Sequence, residues 1–260
     1  MKFHFMLRGL ESSPEFLKNI TEKASESGFY SMLMTYHSRQ EDFWIKSAKI
    51  IDDSIKMKMM IAIRTYAISP EYCAMMVAAS NSLSKNKIVL NVVAGDLHKD
   101  ETSVADVIDI NDLIATSQDR VAYTTKWLDK FRSLDIIKNQ IPEIVISGTS
   151  EKSINNLIKY GDYGLAMLDY YTLGESEFPK DKGWMAATEI KIFKDNEDRD
   201  SFMKSKDPSV LKWITYGNKK DVLNKLNEIE ASGVTDLLVS CDSNDSLEDL
   251  FLLVKEASSC

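Results

Sequence analysis

An asparagine stands inside an aliphatic run at residues 88–96, IVLNVVAGD. A buried carboxamide needs partners. Asn91 therefore satisfies a neighbouring backbone group or meets something polar docking at the strand's end. A second stretch, SGTSEKS at 147–153, sets Gly148, Thr149 and Ser150 before a helix start. Backbone N–H groups converge there, the helix dipole adds partial positive charge, and the two hydroxyls can donate. That is a phosphate cradle, although a serine before a helix is also an ordinary N-cap. His37, just after the run YSMLMT, titrates near neutrality and could move a proton, or be a polar loop residue. Glu189, in EIKIF at 189–193, is a base if it points inward and a solvated carboxylate if it does not. Tyr36, Arg39, Tyr170 and Tyr171 sit at strand ends without a motif behind them.

The chain that must position these groups has 260 residues, enough for one large domain or two small ones. Its 44% hydrophobic content supports a substantial core. A net charge of −8, with Lys and Arg scattered among acids, argues against a nucleic-acid partner. No apolar run approaches the ~20 residues that span a bilayer. The start, MKFHFMLRGL, is too short and polar for a signal peptide. Cys73, Cys241 and Cys260 are odd in number and unclustered, which fits a reducing cytoplasm. His4, His37 and His98 have no metal-binding arrangement, and no metal is expected.

Eight short apolar runs recur, near 3–7, 30–35, 59–64, 88–93, 143–147, 164–168, 189–193 and 236–240. Most are continuous, as strands buried on both faces read. Helix signals lie between them. Ser13-Pro14 and Ser69-Pro70 each open a helix. Ser150 precedes EKSINNLIKY, and Asn218 precedes KKDVLNKLNEIEAS. Eight strands alternating with helices over about 250 residues predict a (β/α)8 barrel, read as a single domain over 1–260. A doubly wound open sheet is the alternative, but it usually has fewer strands and a glycine-rich first turn. Strand-following loops of a barrel lie at the catalytic face, which makes the long 96–117 connection a candidate lid or a passive excursion. Met57, Met59, Met60, Met75 and Met76 read as filler of a core or a subunit interface.

The stretch RTYAISPEYCAMMVAASNSLSKNKIVLNVVAGD at 64–96 resembles the bacterial luciferase-like flavin-dependent monooxygenases, nearest their alkanesulfonate monooxygenase branch. MTYHSRQEDFW, DRVAYTTKWL at 119–128, ISGTSEKS at 146–153 and YGNKKDVLNKLNEIEASGVTDLLVS at 216–240 carry the resemblance along most of the chain. It implies the same (β/α)8 fold, a homodimer, and FMN delivered in reduced form by a separate flavin reductase for use with O2. It sets Asn91 at the flavin ring, with Thr65, Tyr66 and Ala67 against it. It sets Gly148, Thr149 and Ser150 at the phosphate, and implies a cis peptide near Tyr66–Ala67.

Departures accompany the likeness. Gln40 stands where that branch has a cysteine, Val121 where it has a tyrosine, Ala187 where it has an arginine and Glu189 where it has a histidine. The loop after strand seven is also short. Catalytic roles then fall to His37, Gln40 and Glu189, and a sulfonate substrate loses its cationic partners. The expected activity is an FMN-dependent monooxygenase acting on a small organic molecule. A flavin-binding protein without turnover and an enzyme using the deazaflavin F420 are the alternatives.

Overall fold

The computed structural model describes residues 1–7, 13–35, 43–50, 55–84, 87–94, 116–169, 179–241 and 246–258. The elements run β1 (Lys2–Leu7), α1 (Pro14–Glu26), β2 (Ser31–Met34), α2 (Phe43–Ile50), β3 (Lys58–Arg64), α3 (Pro70–Leu83), β4 (Ile88–Val93), α4 (Ser117–Arg132), a 3-10 turn (Asp135–Ile137) and β5 (Glu143–Ser147). There follow α5 (Glu151–Tyr160), β6 (Tyr163–Met167), β7 (Gly183–Ile192), α6 (Asn196–Ser205), α7 (Pro208–Leu211), β8 (Ile214–Gly217), α8 (Lys219–Ala231), β9 (Asp236–Ser240) and α9 (Leu247–Ala257). The strands pair in the order β6-β5-β4-β3-β2-β1-β9-β7-β8, and β6 also pairs with β7. The fold is a closed (β/α)8 barrel of β1–β7 and β9.

Three sequence expectations change. β7 starts at Gly183 rather than 189, because GWMAAT, with a glycine and two alanines, gives only a weak strand signal of its own. β8 was not foreseen. It lies parallel along β7 from Glu189↔Ile214 to Ile192↔Gly217, and four residues are too few to reveal a period. No peptide bond among the described residues is cis, so the bond implied at Tyr66–Ala67 is trans.

The helix starts follow their capping chemistry. Ser13 accepts from Phe16 N–H, Ser69 from Tyr72 N–H, Ser150 from Ser153 N–H and Asn218 from Asp221 N–H. Each cap satisfies a backbone donor that the first helical turn leaves without a partner.

The chain divides into two compact units, one of Met1–Leu33, Ile55–Met57 and Leu165–Cys260, the other of Met34–Ser54 and Lys58–Gly164. In the second, β3, β4 and β5 pair in parallel, with Ala62↔Asn91↔Val145 and Arg64↔Val93↔Ser147 in register. Alternation sorts their side chains into two faces. Ile61, Ile63, Leu90, Val92, Ile144 and Ile146 share one face, all at most 3% exposed. That face meets the helices: a methyl at Gly161 would sit 2.8 Å from Leu157 Cδ1 on α5 and 2.9 Å from Ile146 Cγ1. The opposite face, turned into the barrel, carries Ala62, Arg64, Asn91, Val93, Val145 and Ser147. At its N-terminal end Lys58 pairs with Glu143. Cys73 of α3 is buried, and burial pushes its thiol well above its ordinary range, so it packs as a protonated apolar group. Met57, Met59 and Met60 are core, whereas Met75 is 55% exposed.

The first unit follows the same rule. Phe5 packs edge-to-face on Phe29 and on Phe251 of α9, so the β1 face bearing Phe3 and Phe5 meets the helices. The other face holds His4, whose Nδ1 lies 2.7 Å from Ser31 Oγ and whose Nε2 lies 2.8 Å from Asp236 Oδ1. Thr235 Oγ1 donates to Asp236 Oδ2 at 2.6 Å. Ser31 and Asp236 begin their strands, so this buried network plugs the N-terminal end of the inner face, where stability rather than catalysis resides. Asp236→Ala strands the ring N–H of His4 and should cost about 1–3 kcal/mol in urea unfolding. A loss under about 0.5 kcal/mol would mean that the network is slack.

Candidate active site

Parallel barrels present chemistry at the C-terminal ends of their strands. In the second unit those ends bring together Arg64, Asn91 and Ser147, on one face by register. Asn91 is 3% exposed, and its Oδ1 accepts a hydrogen bond from Ser147 Oγ at 2.7 Å. Its carbonyl is held by protein, while its amide nitrogen makes no hydrogen bond to any described residue. The serine fixes which end of the carboxamide is left to donate.

The turn after β3 is locked from α4. Thr65 is 1% exposed, with its Oγ1 2.9 Å from Thr124 Oγ1, which also bonds to Arg120 O. Trp127 Nε1 donates to Ile68 O at 2.7 Å and stacks on Phe131. Ala67 N–H closes the turn onto Arg64 O at 2.9 Å. Tyr66 is buried and Ala67 exposed. The Thr and aromatic positions of DRVAYTTKWL are thus the struts of the 65–68 turn.

At the end of β5, Gly148 has φ +119°, a conformation costly to any side chain, and a methyl there would come within 3.0 Å of Ser153 Oγ. Thr149 is half-buried. Ser150 Oγ caps α5, accepting from Ser153 N–H at 3.3 Å and lying 2.9 Å from Ser153 Oγ. The cap reading of Ser150 is realised. The other first-turn donors of α5 are those that a helix leaves for a cap or a ligand.

In the first unit, Glu189 pairs in register with Ser240 of β9, as Ala187 does with Leu238 and Met185 with Asp236. It therefore shares the inner face with Asp236, is half-buried and has an interaction partner. His37 and Gln40 lie outside the described residues, as do Tyr36, Arg39, Tyr170, Tyr171 and all but the last two residues of the 96–117 connection. Among the described residues no group of three His, Cys, Asp or Glu could hold a metal ion, and no helix is long and apolar enough to cross a membrane.

Sequence reasoning missed Ser147 as the partner of Asn91, and it gave Arg64 no role. The signal for Arg64 was present: a charged residue stands at each end of an apolar strand, KMMIAIR, and Arg64 is the one at the C-terminal end.

No family model matches the chain. Among solved structures it is similar to EDTA monooxygenase (EmoA) from Chelativorans sp. BNC1, at TM-score 0.76 and 12% identity over 100% of this chain and 93% of that one. It is also similar to long-chain alkane monooxygenase (LadA), at TM-score 0.76 and 12% identity over 99% and 91%. An F420-dependent secondary alcohol dehydrogenase, in complex with an F420-acetone adduct, matches at 0.68 and 11% over 98% and 97%. The shared feature is the fold. At these identities the barrel is common property of monooxygenases and F420-dependent enzymes, and the likeness does not single out the alkanesulfonate branch.

Two outcomes test this geometry. Trp127→Phe keeps an aromatic ring but removes the bond to Ile68 O, and should cost about 0.5–1.5 kcal/mol in urea. An unchanged midpoint would show that α4 does not hold the 65–68 turn. Separately, the Thr116 hydroxyl and N–H hold the Asp119 carboxyl below the usual carboxylate range, in a capping box at the start of α4. The folded-state pKa is depressed, so this small stabilisation is present above about pH 4 and is lost as pH falls through the folded value. Acid unfolding of Asp119→Asn should lack that part of the pH dependence; parallel curves would count against the box.

Proposed function

We propose that the chain is a flavin-dependent monooxygenase that uses reduced FMN, supplied by a separate reductase, and O2 on a small organic substrate. The observation that carries the reading is Asn91: a buried carboxamide at the C-terminal end of a barrel strand, its oxygen held by Ser147 and its nitrogen left to donate. A flavin ring edge offers acceptors that such an amide can meet where water is excluded. The next loop along supports it, since Gly148, Thr149 and Ser150 lead into the α5 N-terminus, where a phosphate gains from free donors and the helix dipole. Thr65, Tyr66 and Ala67 form the turn braced by α4, which would hold the ring's face.

When bound, reduced FMN supplies the electrons that activate oxygen. The protein's own part is narrower. Asn91 orients the ring edge and the buried walls from β3 and β4 exclude water; Glu189, on β7 of the first unit, is the candidate base. His37 and Gln40, which follow β2 in the sequence, belong to this proposal as further candidate positions, the histidine to move a proton and the glutamine to hydrogen-bond. A homodimer in the cytoplasm is the setting that the proposal carries with it. The absence of a cation at Ala187 and the carboxylate at Glu189 support a substrate other than a sulfonate. The F420-dependent dehydrogenase of the same fold makes F420 the second reading of the cofactor.

Anaerobic titration of reduced FMN, followed by mixing with oxygenated buffer, tests the reading. FMN should bind, and its reoxidation on the protein should differ in rate from that of free FMN. Binding with reoxidation at the free rate favours a flavin-binding protein without turnover. No FMN binding, with F420 bound instead, would overturn the FMN assignment. Asn91→Ala should weaken FMN binding about 10-fold in a folded protein, the worth of roughly one well-made buried hydrogen bond. Unchanged affinity would remove Asn91 from the site.

A further inference from the structure

The inner face treats its two ends differently. At the N-terminal end, the polar groups are matched: Lys58 pairs with Glu143, and in the other unit His4 lies against Ser31 and Asp236. At the C-terminal end, Arg64 is not. Its Nε and Nη1 are sealed from solvent and have no hydrogen-bond partner, and no described carboxylate lies within ion-pair distance. The third nitrogen, Nη2, is not sealed in this way.

A guanidinium cannot relieve its burial by losing a proton, as a lysine or a glutamate would. Leaving it unpaired is therefore a standing cost to the fold. The chain has 40 Asp and Glu against 32 Lys and Arg, so carboxylates are plentiful, yet no described one pairs with Arg64. The side chain extends from the last residue of β3 and shares a row with Val93 and Ser147, on the same face as Asn91. Its neighbours in that row are an apolar wall and a hydroxyl. This is how a site built around an incoming anion is arranged.

We propose that Arg64 recognises the carboxylate of the substrate, which makes this enzyme's substrate class small organic acids. Two N–H groups sharing one side of the guanidinium match the two oxygens of a carboxylate in a planar fork, and Nη2 belongs to both such pairs. The carboxylate enters from the side where Nη2 is accessible and takes Nη2 together with one of the two unpaired donors. This role deepens the flavin reading, since it fixes which end of the substrate is anchored and leaves the remainder toward Asn91 and the cofactor. Arg64 is here a binding residue, with no proton to give or take.

The test uses the full chain and calorimetric titration with acetate, succinate and benzoate, together with a separate FMN titration. At least one carboxylate should bind the wild type. Arg64→Gln should weaken it roughly 10- to 100-fold, and Arg64→Lys, which keeps the charge but loses the fork, should fall between. FMN affinity should change less than about twofold, well below the tenfold step of a lost hydrogen bond. Arg64→Met in the ligand-free protein should melt no lower than the wild type, because it removes an uncompensated charge; a structural arginine would give a clear drop. The proposal fails if no carboxylate binds the wild type, or if Arg64→Gln binds it equally well. It fails equally if the variant loses FMN instead, which would assign the guanidinium to the cofactor. Should carboxylate binding behave as expected while FMN does not bind the wild type, the anion site stands and the flavin reading falls.

Discussion

Residue-for-residue pairing of parallel strands is the constraint on which the rest depends. Once Ala62, Asn91 and Val145 stand in one row and Arg64, Val93 and Ser147 in the next, alternation leaves each side chain only two directions. One direction is filled by isoleucine, leucine and valine packed on helices, and nothing polar is tolerated there. Every polar residue of these strands must therefore go to the other face. A slip of one residue would drive Asn91 and Arg64 into the helix layer and expose Leu90 and Ile63, so the apolar packing also fixes where the chemistry can be.

The inner face is graded along its length. Its N-terminal end spends polar groups on each other, through half-buried Lys58 with Glu143 and through buried His4 with Asp236. These contacts are closed and add to stability or specificity of packing. Its C-terminal end keeps donors open, at the Asn91 amide and the Arg64 guanidinium. A fold selected only for stability would pair such donors. Thr124 and Trp127 of α4 instead spend their hydrogen bonds on the backbone and hydroxyl of the adjoining turn. They position the mouth without filling it.

The barrel was legible because eight apolar runs and their helix caps are local signals. Ser13, Ser69, Ser150 and Asn218 each cap the helix they were read to start, since capping needs only the residues of one turn. β8 and the first half of β7 escaped notice because ITYG is too short for periodicity and GWMAAT draws its strand character from the neighbours it pairs with. Of the site, Asn91 stood out as one amide in an aliphatic run. Ser147, 56 residues away, could not be read as its partner, since nothing local joins them.

The amino-acid sequence by itself determined the element types, the alternation that makes a barrel, the caps, and the presence of one amide inside an aliphatic strand and one guanidinium at the end of another. Periodicity and capping act within a few residues, and so they are written along the chain. Which polar groups find partners was decided only by tertiary structure. His4 and Asp236 look unrelated in sequence and are matched in the barrel, while Arg64 looks like a strand-end solubiliser and is half-buried, with Nε and Nη1 sealed and without a partner. Satisfaction of a buried group depends on what other strands bring within about 3 Å of it, and strand pairing sets that distance across any length of chain.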